Sequence, residues 1–111
     1  MAFALRITAT TKNGQEVRIE PSWWNVKELR STYDFKEELD YYLDCYLYVN
    51  KQTFQEIVES QEKYKNTPLY QYELWKVQID QTTSEIDDLV QNLPEDSTVE
   101  IWIYEWESGL G

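Results

Sequence analysis

The alternation of apolar and polar residues is sharpest at residues 98–106, Thr-Val-Glu-Ile-Trp-Ile-Tyr-Glu-Trp. Successive side chains of a pleated strand point to opposite faces, so this run predicts a strand with two unlike edges. Val99, Ile101 and Ile103 make an aliphatic edge suited to a core, whereas Glu100, Trp102, Tyr104 and Trp106 make an aromatic and acidic edge suited to a contact. Residues 3–11 and 16–20 alternate in the same way and read as a hairpin. A two-residue Asn13-Gly14 turn would set Ile7 opposite Glu20 and throw the two apolar sets onto opposite faces. A three-residue Lys12-Asn13-Gly14 loop, with Gly14 left-handed at a bulge, pairs Ala9 with Val17 and Ile7 with Ile19, and is the predicted register.

Pro21 ends the second strand because it has no amide hydrogen to donate, and residues 22–25 read as irregular chain. Asp34-Phe35-Lys36-Glu37 has the form of a capped helix start and predicts a short helix over 35–42; the competing reading runs the next strand back through Tyr41 and Tyr42. Residues 44–49 alternate Cys45, Leu47 and Val49 against Asp44, Tyr46 and Tyr48, which predicts a strand. Thr53-Phe54-Gln55-Glu56 reads as a capping box opening a helix with Phe54, Ile57, Val58 and Gln61 on one face, stopped by Asn66, Thr67 and Pro68. Residues 69–80 return to alternation, Trp75, Val77 and Ile79 against Tyr70, Tyr72, Leu74, Lys76 and Gln78, and predict a long strand. Thr82-Thr83-Ser84-Glu85 reads as a second capping box before the stripe Ile86, Leu89, Val90 and Leu93, and residues 94–97 as the turn into the last strand.

Assembled, these elements predict one α+β domain: an N-terminal hairpin followed by β-α-β-α-β, forming a mixed five-stranded sheet in a two-layer sandwich. Each strand has one aliphatic edge, so both main helices belong on one face. The opposite face then gathers Tyr46, Tyr48, Tyr70, Tyr72, Trp102, Tyr104 and Trp106. Either this aromatic face is a docking surface, or residues 22–42, with Trp23, Trp24, Tyr33 and Phe35, fold over it as a second small core.

Charge changes the picture through its placement. The chain of 111 residues has a formal net charge of −11. Residues 1–76 hold 12 acids and all 10 bases, a net of −2; residues 77–111 hold Asp80, Glu85, Asp87, Asp88, Glu95, Asp96, Glu100, Glu105 and Glu107 and no base, a net of −9. A field of one sign repels nucleic acid and anionic membrane and attracts cationic protein surfaces. An aromatic sheet face also suggests stacking of single-stranded nucleic acid, but that mode needs cations along the phosphates, and Arg6, Arg18 and Lys76 stand here beside Asp44, Glu20 and Glu100.

Catalytic parts are missing. Without histidine there is no Ser-His or Cys-His system, three glycines cannot build a phosphate-cradling loop, and the acid pairs lack the spacing of a calcium loop. The expectation is a non-enzyme with no cofactor and no metal. The lone Cys45 reads as a small buried hydrophobe, and the N-terminal residues lack the pattern of a signal peptide, so a reducing, cytoplasmic setting is expected.

In size, acidity and lack of catalytic parts the chain is similar to two broad groups, bacterial immunity proteins that neutralise nuclease toxins and phage proteins that block CRISPR or restriction enzymes. The resemblance is one of composition, and no residue is carried over from it. The expected function is stoichiometric inhibition of a basic, nucleic-acid-handling enzyme, with the acids acting in part as a phosphate mimic. Its candidate contact residues are Asp80, Glu85, Asp87, Asp88, Glu95, Asp96, Glu100, Trp102, Tyr104 and Trp106. The alternative is a homodimeric interaction module that uses the aromatic face.

Overall fold

A computed structural model describes residues 2–37, 44–66 and 68–106. Its strands are β1 (Ala2–Thr10), β2 (Glu16–Ile19), β3 (Lys36–Glu37), β4 (Cys45–Asn50) and β5 (Thr98–Trp106), and its helices α1 (Val26–Thr32), α2 (Lys51–Gln61) and α3 (Glu73–Asn92). The fold is the expected α+β sandwich of five strands, in the order β2-β1-β5-β4-β3. Every pairing is antiparallel, where a mixed sheet was expected.

The hairpin has the predicted register, Ile7 opposite Ile19 and Ala9 opposite Val17. Gly14 takes the left-handed conformation at φ 80°, and Thr11 N–H donates to Gln15 O across the loop at 2.9 Å. An L side chain rarely adopts that φ, so the turn depends on a glycine there.

The main departure is at residues 69–80. They form no strand: Pro68–Gln71 is a 3-10 turn, and α3 runs without a break from Glu73 to Asn92. Trp75, Val77 and Ile79 alternate, yet Trp75, Ile79, Ile86, Leu89 and Leu93 also follow helical spacing. With no glycine or proline between them, the longer period prevails. Thr82 and Thr83, read as a cap, lie mid-helix and donate their hydroxyls to the carbonyls of Gln78 and Ile79 at 2.9 and 2.8 Å. The antiparallel sheet follows from this. One helix between strands carries the chain to the far end of a sheet, whereas α2 out and α3 back return it to the end it left. Lys51, first in α2, donates its Nζ to Leu93 O beyond the end of α3 at 3.0 Å, which fixes that return.

Two smaller corrections concern helix starts. The cap of α2 is Asn50, whose side chain accepts from Thr53 N–H at 2.8 Å, three residues before the predicted box. In the helix predicted over 35–42, Lys36 and Glu37 instead form β3, and 38–42 lie outside the described residues. Unforeseen is α1, capped by Asn25, which accepts from Glu28 N–H at 3.0 Å.

One face of the sheet supplies Leu5, Ile7, Ile19, Cys45, Val49, Val99, Ile101 and Ile103 to a single core, closed by Leu29, Phe54, Ile57, Ile79, Ile86, Leu89 and Leu93 of the helices and the loop after α3. Trp23 and Trp24 join this core, with Trp24 6.4 Å from the Phe54 ring, and so do not cover the opposite face. Gln61, fully buried, ties the layer together: its Oε1 accepts from Asn25 N–H at 2.7 Å and its Nε2 donates to Glu28 Oε1 at 3.2 Å. Tyr64 Oη donates to the other oxygen of Glu28. Burial raises the Cys45 thiol above its ordinary range against a smaller opposing pull from Arg30, as expected of an inert core cysteine.

Candidate functional site

The sheet face away from the helices presents Arg6 and Thr8 of β1, Tyr46 and Tyr48 of β4, and Glu100, Trp102 and Tyr104 of β5. Trp102 stands opposite both Arg6 and Tyr46 in register. Its ring stacks on Tyr46 at 6.0 Å with 5° between the planes and on Tyr104 at 4.3 Å. The Arg6 guanidinium lies over both indole and phenol, 5.3 and 5.6 Å from the ring centroids. Its Nε donates to Glu20 Oε1 at 3.0 Å, and Tyr104 Oη donates to the same oxygen at 3.1 Å. Burial and then this hydrogen bond push the Tyr104 hydroxyl above its usual range. Further along the hairpin, Arg18 Nε meets Glu16 Oε1 at 3.1 Å. The face is thus an aromatic row with charges paired inside it, and Tyr48, 61% exposed, stands at its margin.

A second surface belongs to α3. From Ile79 onward it is held: Ile79, Ile86 and Leu89 are buried, Leu93 is buried just beyond, and the hairpin loop adds Lys12 N–H to Asn92 O at 2.8 Å. Its first turns follow the 3-10 turn Pro68–Gln71 and bury no side chain in the core. Every residue from Glu73 to Gln78 is exposed, including Leu74 at 85%, Val77 at 58% and Trp75 at 42%. At 1.5 Å per residue this exposed stretch is about 9 Å long. Leu74, Val77, Gln81, Glu85 and Asp88 recur at i, i+3, i+7, i+11 and i+14, so they share one flank of the helix, apolar at one end and acidic at the other. All five are exposed. Asp80 and Asp87 lie a heptad apart on the neighbouring outer strip, also exposed.

The predicted contact residues therefore fall into separate groups. Asp80, Glu85, Asp87 and Asp88 are together on α3, facing away from the sheet. Glu95 and Asp96 occupy the turn at its C-terminal end, where Glu95 meets Lys51 Nζ at 3.3 Å. Glu100, Trp102 and Tyr104 are on the far side, with the sheet itself between them and α3, so one footprint cannot include both groups. Trp106 ends β5 opposite Ala2, and its side chain lies outside the described residues, as does that of Tyr70. Tyr70 and Tyr72 are at the approach to α3 and do not belong to the sheet face.

Sequence reasoning missed Leu74 and Val77 as surface residues and Arg6 as the centre of the aromatic row. The signal for the first pair was present: once Trp75 to Leu93 is taken as one helical stripe, Leu74 and Val77 fall off it. Among the described residues no group of three or more Cys, Asp or Glu comes together as a metal site, and no helix is long and apolar enough to cross a membrane. Comparison with protein-family models, with curated proteins and with solved structures returned no match.

Proposed function

We propose that the protein is a small acidic binding protein that docks through α3 onto a basic surface of a nucleic-acid-handling enzyme and inhibits it by occlusion. The observation that carries this reading is the exposed flank from Leu74 to Asp88, about 21 Å long, which joins an apolar anchor to an acidic track. A basic amphipathic helix or groove complements it, with apolar residues against Leu74 and Val77 and Lys or Arg against Glu85 and Asp88. The acids steer the encounter and the apolar end supplies residence, so association is fast and salt-sensitive. Literal phosphate mimicry is the weaker form of the idea. Glu73, Asp80, Glu85, Asp87 and Asp88 give five charges along about 30 Å of helix, several-fold sparser than the one per roughly 1.7 Å of duplex DNA.

The test is affinity capture from the native cytoplasm at 50 and 500 mM salt, as experimental settings, with wild type and two variants, Leu74→Ser/Val77→Ser and Glu85→Lys/Asp88→Lys. The expected result is a basic partner retained at low salt by wild type and lost by both variants, with stability changed by no more than about 0.5 kcal/mol by the serine pair. Equal recovery by wild type and charge-reversed protein removes the proposal. A homodimer through the aromatic sheet face is the second reading, favoured by the exposure of Tyr48; sedimentation at micromolar concentration distinguishes it, since a strict monomer excludes it.

A further inference from the structure

We infer that the open face of the sheet holds a guanidinium-binding site at Glu100, which takes an arginine side chain from a partner protein. Two cross-strand neighbours and one residue of the same strand define it. Glu100 stands opposite Tyr48 on β4 and Thr8 on β1, and Trp102 follows it on the same edge of β5. These residues, except Tyr48, border a shallow concavity of about 420 Å³ shared with Arg6, Glu16, Arg18 and Tyr46, room enough for one long side chain.

The chemistry of the occupant is displayed one step along the strand. Arg6 lies over the Trp102 and Tyr104 rings with a carboxylate, Glu20, at 3.0 Å, so this face already holds one guanidinium between aromatic rings and an acid. Glu16 is likewise matched by Arg18. Glu100 repeats the setting of Glu20 with rings beside it, yet among the described residues no ion pair reaches it. Arg6 and Arg18 are each committed to a carboxylate, Glu20 and Glu16, which leaves Glu100 as the acid bordering the concavity with no cation against it among the described residues. A planar, weakly hydrated guanidinium meets both demands, by stacking on the rings and by forked donation to the carboxylate; a lysine ammonium meets only the second. The inference concerns a different side of the molecule from α3 and stands or falls apart from the occlusion proposal.

The test is nuclear magnetic resonance titration of the full chain with the blocked tripeptide acetyl-Gly-Arg-Gly-amide, its lysine counterpart and an octathymidylate. The expected result is a shift of the Trp102 indole N–H with the arginine peptide, and binding at least about threefold tighter than for lysine. Glu100→Gln should abolish that preference, and Tyr48→Ala, which keeps the test valid if the first variant perturbs the fold, should weaken arginine binding. Equal binding of both peptides, shifts confined to α3, or an unchanged Glu100→Gln titration overturns the inference. So does octathymidylate binding at the same signals, which would make the face a base-stacking platform, or a dimer that buries them.

Discussion

The two sides of β5 are built from alternate residues of one strand, and they differ in almost every physical respect. Val99, Ile101 and Ile103 are fully buried under three helices, and nothing polar is needed to hold them. Trp102 and Tyr104, between and beyond them in sequence, are half-buried and sit among Arg6, Glu20 and Glu100. One side gains from removing apolar area from water; the other keeps large apolar area near water and offsets it with ring stacking and paired charge. The comparison teaches that a large aromatic residue on a strand is not thereby a core residue. Its neighbours across the ladder decide.

The largest difference between the two sides is expected from a matched pair of truncations. Ile101→Ala, 0% exposed between Ile7 and Leu47, is expected to cost about 2–5 kcal/mol in urea unfolding. Trp102→Ala should cost clearly less despite the larger side chain removed. Equal costs would mean that the open face is a second core. A smaller effect is expected at the buried polar tie beneath the helices. Gln61→Ala strands the Asn25 N–H and a Glu28 oxygen, and should cost about 1–3 kcal/mol by the same measurement.

The smallest effect sharpens the description of the open face. The Tyr104 hydroxyl titrates above its ordinary value near 10, first because it is desolvated and then because it donates to Glu20. The folded chain therefore holds this proton more tightly than the unfolded chain. The resulting stability is fully present below about pH 10 and is lost as pH rises through the folded value. Tyr104→Phe should flatten that alkaline limb in unfolding curves taken between pH 8 and 11, the range on either side of the ordinary value. An unchanged limb would mean that the Tyr104–Glu20 contact contributes nothing.

Much of this fold was legible from local pattern. The hairpin register followed from two facts, that Gly14 tolerates a left-handed turn and that a one-residue slip reverses every side chain. The strands at 44–49 and 98–106 were equally plain. What misled was a segment whose residues satisfy two periods at once: Trp75, Val77 and Ile79 alternate, and Trp75 and Ile79 are also one helical turn apart. Taking 69–80 as a strand then made the sheet mixed. Trp23 and Trp24 carried no local signal of which face they would join, because loop residues acquire their side of a sheet only from tertiary contacts. The candidate contact residues were close in sequence, from Asp80 to Trp106, but the chain crosses from the helical layer into the sheet at Ser97. Chain proximity there said nothing about sharing a surface.

The central position of β5 has a kinetic consequence. Pairs such as Ile7 with Ile101 join the two ends of the chain, so the sheet cannot close until nearly every other element has been made. During synthesis the hairpin and β4 must wait with their inner edges unpaired, which is when strand edges invite wrong partners. Such non-local pairing also slows folding relative to the helices, which form from neighbours.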